Sequence, residues 1–251
     1  MQIFSSLDLS TLDWSLVILC AVIWGLSKSG IHGISIIAVP VMAYVFGSKP
    51  STGVVLPMLI LADLMAVKYY SRHAQWAYLL KLLPWTMVGV IMGTWIGDQL
   101  DEQSFKRLMA IVIVTSVLTM YLWERRKRNQ VPDYWWFAAL MGITAGFTTM
   151  VGNLAGGIVV IYLLAMHLPK DEFIGTGAWF FLIINSFKMP FHWFFWHTIS
   201  GTTLALNVAM LPFIALGFVA GVYVVGKFND ALYRRFALLM TGLAAIVMLF
   251  Q

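Results

Sequence analysis

The chain has 251 residues, 61% of them hydrophobic and 11% charged, with a formal net charge of +5 and a mean hydropathy of +0.84. That is too apolar and too poor in charge for a soluble domain, and a single cysteine, Cys20, excludes an intrachain disulfide framework and a thiolate metal cluster. The basic residues cluster at ERRKR, residues 124–128, between two apolar blocks, where membrane orientation accounts for them and nucleic-acid binding does not.

The N-terminal MQIFSSLDLSTLD has no Lys or Arg before the first apolar block and no small-residue cleavage pattern after it, so a retained first helix is expected rather than a removable signal. Apolar blocks follow at residues 12–26, 31–46, 52–70, 76–98 and 104–123, and, past a basic linker at 124–133, at 134–150, 154–167, 173–195, 201–226 and 232–250. Several reach the roughly 20 residues needed to cross about 30 Å of hydrocarbon, whereas 31–46 and 154–167 fall short. None shows the alternation of an outer-membrane strand, and helices satisfy their own backbone groups in lipid. The expected fold class is an all-α polytopic membrane protein forming a single transmembrane domain.

The two halves, 12–123 and 134–250, resemble each other. An offset of 122 places Gly30 on Gly152, Ala43 on Ala165, Gly53 on Gly175 and Asp63 on Asn185, and Gly25 meets Gly146 at 121. Later an offset of 128 aligns LPWTMVGVIMG (83–93) with LPFIALGFVAG (211–221), and Lys106 and Arg107 with Arg234 and Arg235. An ordered series of this kind predicts an internal repeat. With five blocks per half, the second repeat is inverted if all of them cross. The basic residues favour inversion, giving two inverted repeats of about five helical segments each: a cytoplasmic linker puts Lys68, Arg72, Lys170, Lys227, Arg234 and Arg235 inside, Lys49, Lys106 and Arg107 outside, and both termini outside. Re-entrant hairpins in place of the first two blocks of each half give the same orientation. Merging each short block with its neighbour gives four crossings per half and turns Lys227, Arg234 and Arg235 outward.

Short, glycine-interrupted segments at matching places in two inverted halves point to a transporter's binding site. GLSKSGIHG, residues 25–33, is one, and GFTTMVGNLAGG, residues 146–157, is its mate. Glycine lets the chain leave helical geometry, and a helix restarting near Ile31 would offer unpaired amides and the positive end of its dipole to an anion. Ser27, Thr148, Thr149 and Asn153 add neutral donors, and Lys28 a positive charge. The bland alternatives are helix packing for the glycines, which is the expectation for Gly89, Gly93, Gly217 and Gly221, and a snorkelling side chain for Lys28.

Asp63 and Asn185 stand at equivalent places in LILADLMAV and LIINSFKMP. A carboxylate inside a span needs a partner, with Lys28 or a helix end as candidates. Asp63 is read either as a protonatable coupling group or as part of a static interhelical hydrogen bond. Lys188, one turn beyond Asn185, is a second cation for the site or a snorkelling residue.

These stretches, with VPVMAYVFGSKPSTGVVLPMLILADLMAV following the first and IVVIYLLAMHLPKDEFIGTGAWFFLIINSFKMPF the second, resemble the TauE/SafE family of sulfite and organosulfonate exporters over nearly the whole chain. The resemblance implies a plasma-membrane carrier for small sulfur oxyanions or carboxylated relatives, such as sulfite, sulfoacetate or thiosulfate. By motif match it places substrate at Ser27, Lys28 and Gly30, at Thr148, Thr149, Gly152 and Asn153, and brings in Asp63, Thr176, Trp179 and Asn185. Trp179, after a GTG turn at 175–177, lines the site or simply packs.

The expected mechanism is alternating access around an oxyanion held between the repeats. The alternative function is anion uptake, or a channel, for thiosulfate, sulfate or carboxylates. An intramembrane enzyme lacks site logic, since Ser27, Ser29 and His32 come with no orienting third group. A metal carrier lacks acidic ligands, and 15 methionines are core filling. No cofactor, metal or catalytic residue is expected. The partners are the small anion and membrane lipid, with a homodimer open and nucleic acid excluded. Trp14, Trp76, Trp123, Trp135, Trp136, Trp193 and Trp196, near block ends, are expected to form an interfacial belt.

Overall fold

Helix ends in this chain are set by identifiable chemistry. In the computed structural model, which describes residues 9–31, 33–125, 135–233 and 235–236, Ser10 caps α1 (Thr11–Lys28) through a reciprocal capping box with Asp13. Gly47, at φ 87°, separates α2 (Ser35–Phe46) from α3 (Ser48–Tyr70). A 3-10 turn, Ser71–His73, leads to α4 (Trp76–Asp98), then α5 (Glu102–Arg125). The second half contributes α6 (Trp135–Gly152), α7 (Ala155–Ala165), α8 (Lys170–Phe194) and α9 (Gly201–Gly226), the last capped by a Ser200–Thr203 box. Among the described residues, the longer elements are all α-helical.

One capping device occurs twice. The Glu102 carboxylate accepts from the Ser48 N–H at 2.5 Å and the Lys49 N–H at 3.4 Å, and Asp230 accepts from the Lys170 N–H at 3.0 Å. Ser48 and Lys170 differ by 122 positions and Glu102 and Asp230 by 128, the same two offsets that align the halves. Each acid satisfies the first amides of a long central helix, where negative charge is favoured.

Close helix crossings depend on glycine. A Cβ on Gly25 would lie 2.1 Å from the Ile214 carbonyl oxygen, and one on Gly217 2.1 Å from that of Val22. On Gly89 it would meet the Ile143 oxygen at 2.1 Å, and on Gly146 the Thr86 oxygen at 2.0 Å. No side chain fits there, so backbone meets backbone. Gly89, Gly93, Gly217 and Gly221 pack as expected. Gly25 and Gly146 join them, a correction to their assignment to the breaks: each lies inside a helix, α1 or α6. Their contact registers show α1 running parallel to α9 and α4 parallel to α6. Gly53 near Thr198, Asp63 bonded to Asn185, and Gly175 near Tyr70 show α3 antiparallel to α8.

Five helices (α1, α3 with its 3-10 turn, α4, α6 and α9) are long and apolar enough to cross a membrane. At 25 residues α8 is as long but more polar, because it carries site residues. The 12-residue α2 and 11-residue α7 reach only about 16–18 Å, half the hydrocarbon. Exposed apolar side chains such as Leu80, Trp95, Val208 and Leu216 cover the outside, as lipid contact requires.

Several expectations are corrected here. The helix after the first break starts at Ser35, not Ile31, because Gly30 and Gly33 both take positive φ, 118° and 94°. The GTG at 175–177 is no turn; it lies within α8, where Gly175 admits the Tyr70 carbonyl. Trp196 is not interfacial. It is 6% exposed and its indole donates to the Thr94 carbonyl at 3.1 Å. Trp76, Trp135, Trp136 and Trp193 are exposed as a belt requires. His32, the side chain of Trp123, residues 126–133 of the linker, residue 134 at the start of the next block and most of block 232–250 lie outside the described residues.

Candidate functional site

Between the two breaks lies a small cavity of about 30 Å³, lined by Trp24, Ser27 and Lys28 of α1, Gly33 and Ser35 at the start of α2, Leu59 of α3, Thr149, Asn153 and Gly156 around the second break, and Ile174, Gly177, Ala178, Phe181 and Asn185 of α8. Asn153 makes the second break in the left-handed region, φ 57°, so α6 stops at Gly152 and α7 restarts at Ala155.

Charge is concentrated at its wall. Lys28 closes α1 and, although its side chain is 10% exposed, its Nζ pairs with Asp63 Oδ1 at 2.7 Å and sits 3.8 Å over the Phe181 ring. Asp63 Oδ2 accepts from Asn185 Nδ2 at 2.7 Å, so the two equivalent positions of the halves bond directly to one another. Lys188, fully buried, donates to Asn153 Oδ1 at 2.5 Å, Thr149 Oγ1 at 3.2 Å and Asn185 Oδ1 at 3.4 Å. Three neutral oxygens occupy its three donors. Neither lysine snorkels.

Two helix starts meet the cavity with no side-chain cap. α2 follows Ile34 and α7 follows Leu154, and neither residue can accept an amide hydrogen bond through its side chain. At Gly156, in the first turn of α7, an added Cβ would find nothing within 4 Å. At the start of α2 the Ile36 and Ile37 amides donate to the Gly33 and Ile34 carbonyls, so the positive ends of α2 and α7 face the cavity with few amides to spare, beside the Lys28 ammonium and with Lys188 behind it.

The structure brings Ser27, Lys28, Thr149, Asn153 and Asn185 to the cavity, with Asp63 and Lys188 directly behind them. It does not bring the other five. Gly30 is a turn residue whose carbonyl accepts the Tyr233 hydroxyl at 3.0 Å. Thr148 bonds back to the Ala145 carbonyl of its own helix at 3.2 Å, and Gly152 is the last residue of α6. Thr176 accepts the Gln75 amide at 2.9 Å, tying α8 to the loop before α4. Trp179 packs on Trp76, ring centroids 5.3 Å apart, away from the cavity. Sequence reasoning missed Trp24, Gly33, Ser35, Gly156 and Phe181 as lining residues. Gly33 and Gly156 stood inside the two glycine-rich stretches, whereas Phe181 carried no signal beyond an apolar helix.

Membrane-length helices around a small cavity between two helix breaks, with Lys28 in its wall and Lys188 behind, make this a polytopic membrane protein. The family model described as sulfite exporter TauE/SafE matches residues 17–248, and the chain belongs to that family, as a multi-pass plasma-membrane protein. No curated protein and no solved structure matches it.

Proposed function

We propose that the cavity binds a small sulfur oxyanion, sulfite foremost, and that the protein exports it by alternating access, with substrate held near the midplane between two inverted repeats. One observation carries the anion reading: Lys28 pairs with Asp63, the only acidic side chain among the buried polar residues described, while the buried Lys188 donates to three neutral oxygens and has no such partner. Buried charge is costly unless paired, so a guest bearing negative charge completes the set. The uncapped start of α7, with Ser27 and Ser35 at the cavity wall, supplies its hydrogen bonds. A cavity of about 30 Å³ has room for two or three water-sized groups, which suits a compact three-oxygen anion better than one with a carbon tail.

The antiparallel α3 and α8, the twice-used carboxylate cap and the reciprocal glycine crossings support the inverted repeat. Asp63 holds Lys28 in place, and the anion competes with it for that ammonium. Export of a dianion needs no coupling ion, because the inside-negative potential contributes about 2.3 kcal/mol per charge per 100 mV.

The test is a thermal-shift screen of the detergent-purified protein with sulfite, sulfoacetate, isethionate, thiosulfate, sulfate, acetate and divalent metals at matched ionic strength. A ligand at 100 times its Kd stabilises by about 2.7 kcal/mol. Stabilisation by a sulfur oxyanion, abolished in Lys28→Ala, is expected; stabilisation by a divalent metal alone would overturn the reading.

A further inference from the structure

One face of α8 carries, at helical spacing, Ile174, Ala178, Phe181, Asn185, Lys188 and His192, and Trp196 follows just beyond the helix end. The first four line the cavity. Lys188 and His192 continue the same stripe away from it, each fully buried. A stripe that begins as cavity wall, turns polar at Asn185 and runs on through Lys188 and His192 into closed protein has the form of a path shut along half its length.

His192 is the unexplained member. Its Nδ1 lies 2.9 Å from Thr198 Oγ1, while Nε2 is buried with no hydrogen-bond partner. The Thr198 hydroxyl also reaches the His192 carbonyl at 3.5 Å, and in either tautomer Nε2 is a buried polar atom without a partner. An orphaned buried polar atom marks a place for a polar guest.

Beyond His192 the stripe meets Trp196, whose ring stands 5.0 Å from the imidazole and edge-on to Phe105 of α5 at 5.4 Å. Its Nε1 donates to the Thr94 carbonyl, and it rests on Gly97 of α4, where a Cβ would come within 2.5 Å of the ring. Lys49 Nζ lies 5.1 Å from the same ring and pairs at 3.7 Å with Asp98, which is half exposed. Trp196 therefore stands between the buried stripe and a solvent-reaching lysine, seated by α4 and α5 rather than by its own helix.

We infer that the anion's route to one membrane face runs along this stripe, past Lys188 and His192, and that Trp196 is the gate closing it. The inference rests on the transport reading above. A shift of α4 and α5 against α8 removes the ring's seat, and the released indole opens the way from His192 to Lys49.

Thiol accessibility in proteoliposomes tests it. In a Cys20→Ser background, His192→Cys is treated with methanethiosulfonate ethylsulfonate, an anionic reagent, and compared with Ser27→Cys in the cavity. A thiol without access to water and reagent does not react. Adding Trp196→Ala is expected to raise labelling at His192→Cys at least tenfold, with a smaller rise for Trp196→Phe and none at Ser27→Cys, which also reports that the fold is intact. Equal labelling at His192→Cys with and without the indole would overturn the gate. Should Trp196→Ala not fold, Phe105→Ala withdraws the ring's support while leaving Trp196 present, and an unchanged rate there would equally overturn it. Sulfate, which does not react with the reagent, is the protectant at Ser27→Cys. Loss of protection alongside Trp196-dependent labelling would remove the anion from the cavity yet leave the gate standing.

Discussion

The two helix breaks do the same work with different parts. At the first, glycines at positive φ carry the chain from α1 to α2 and the charge sits on the broken helix itself, as Lys28. At the second, Asn153 makes the turn and the charge arrives from another helix, as Lys188 of α8. Behind them, equivalent positions hold Asp63 on one side and Asn185 on the other. On the proposed anion reading, two carboxylates would balance the two lysines, whereas one carboxylate and one amide leave a positive charge for a guest. That asymmetry is what the proposal makes responsible for the sign of the ligand.

The strongest test of that difference is Lys28→Ala. It leaves Asp63 as a buried carboxylate without its cation, which costs about 3–5 kcal/mol, and anion-dependent stabilisation should vanish, both read from melting with and without sulfite. Lys28→Arg should retain the response. Next comes Asn185→Asp, which balances two ammonium groups against two carboxylates: sulfite affinity by isothermal titration should fall at least tenfold, about 1.4 kcal/mol. The exchange Asp63→Asn with Asn185→Asp restores the count and should bring affinity back to within about tenfold of the native protein. Binding lost equally in both would mean that position, not charge, governs the site.

Smaller effects separate packing glycines from cavity glycines. Gly217→Ala forces a methyl onto the Val22 carbonyl and should cost about 1–3 kcal/mol in unfolding. Gly156→Ala, with open space around its Cβ, should change stability by no more than about 0.5 kcal/mol, yet weaken sulfite binding severalfold because the methyl enters the cavity. A stability loss at Gly156 equal to that at Gly217 would mean that α7 packs closed at this point.

Much of this arrangement is legible in the chain because membrane burial makes polar residues conspicuous. Lys28, Asp63, Asn153 and Asn185 stand out of apolar runs, and the offset of 122 pairs Asp63 with Asn185, which are hydrogen-bonded in the fold. Helix existence followed from block length. What stayed hidden depends on three-dimensional neighbours. Thr176 and Thr148 look like site donors by type, but each is spent on a nearby backbone group. Gly25 reads as a helix breaker until Ile214 is found against it. Trp196 sits at a block end like its belt-forming relatives, and only the loop after α8, folding inward onto Thr94 and Phe105, buries it.

The glycine crossings also bear on how the chain is made. α1 is completed by α9, α4 by α6 and α3 by α8, so the main helix pairings link residues on either side of the linker. During synthesis, α1 waits through roughly 190 residues for the helix that covers Gly25, and α4 waits across the linker for α6. The first half emerges into the bilayer as spans with bare backbone seams, and the final packing belongs to the last stage of insertion. Neither half expressed alone should form a stable bundle, whereas the two halves produced together as separate chains should find each other, because the contacts that define the fold never depended on the linker being intact.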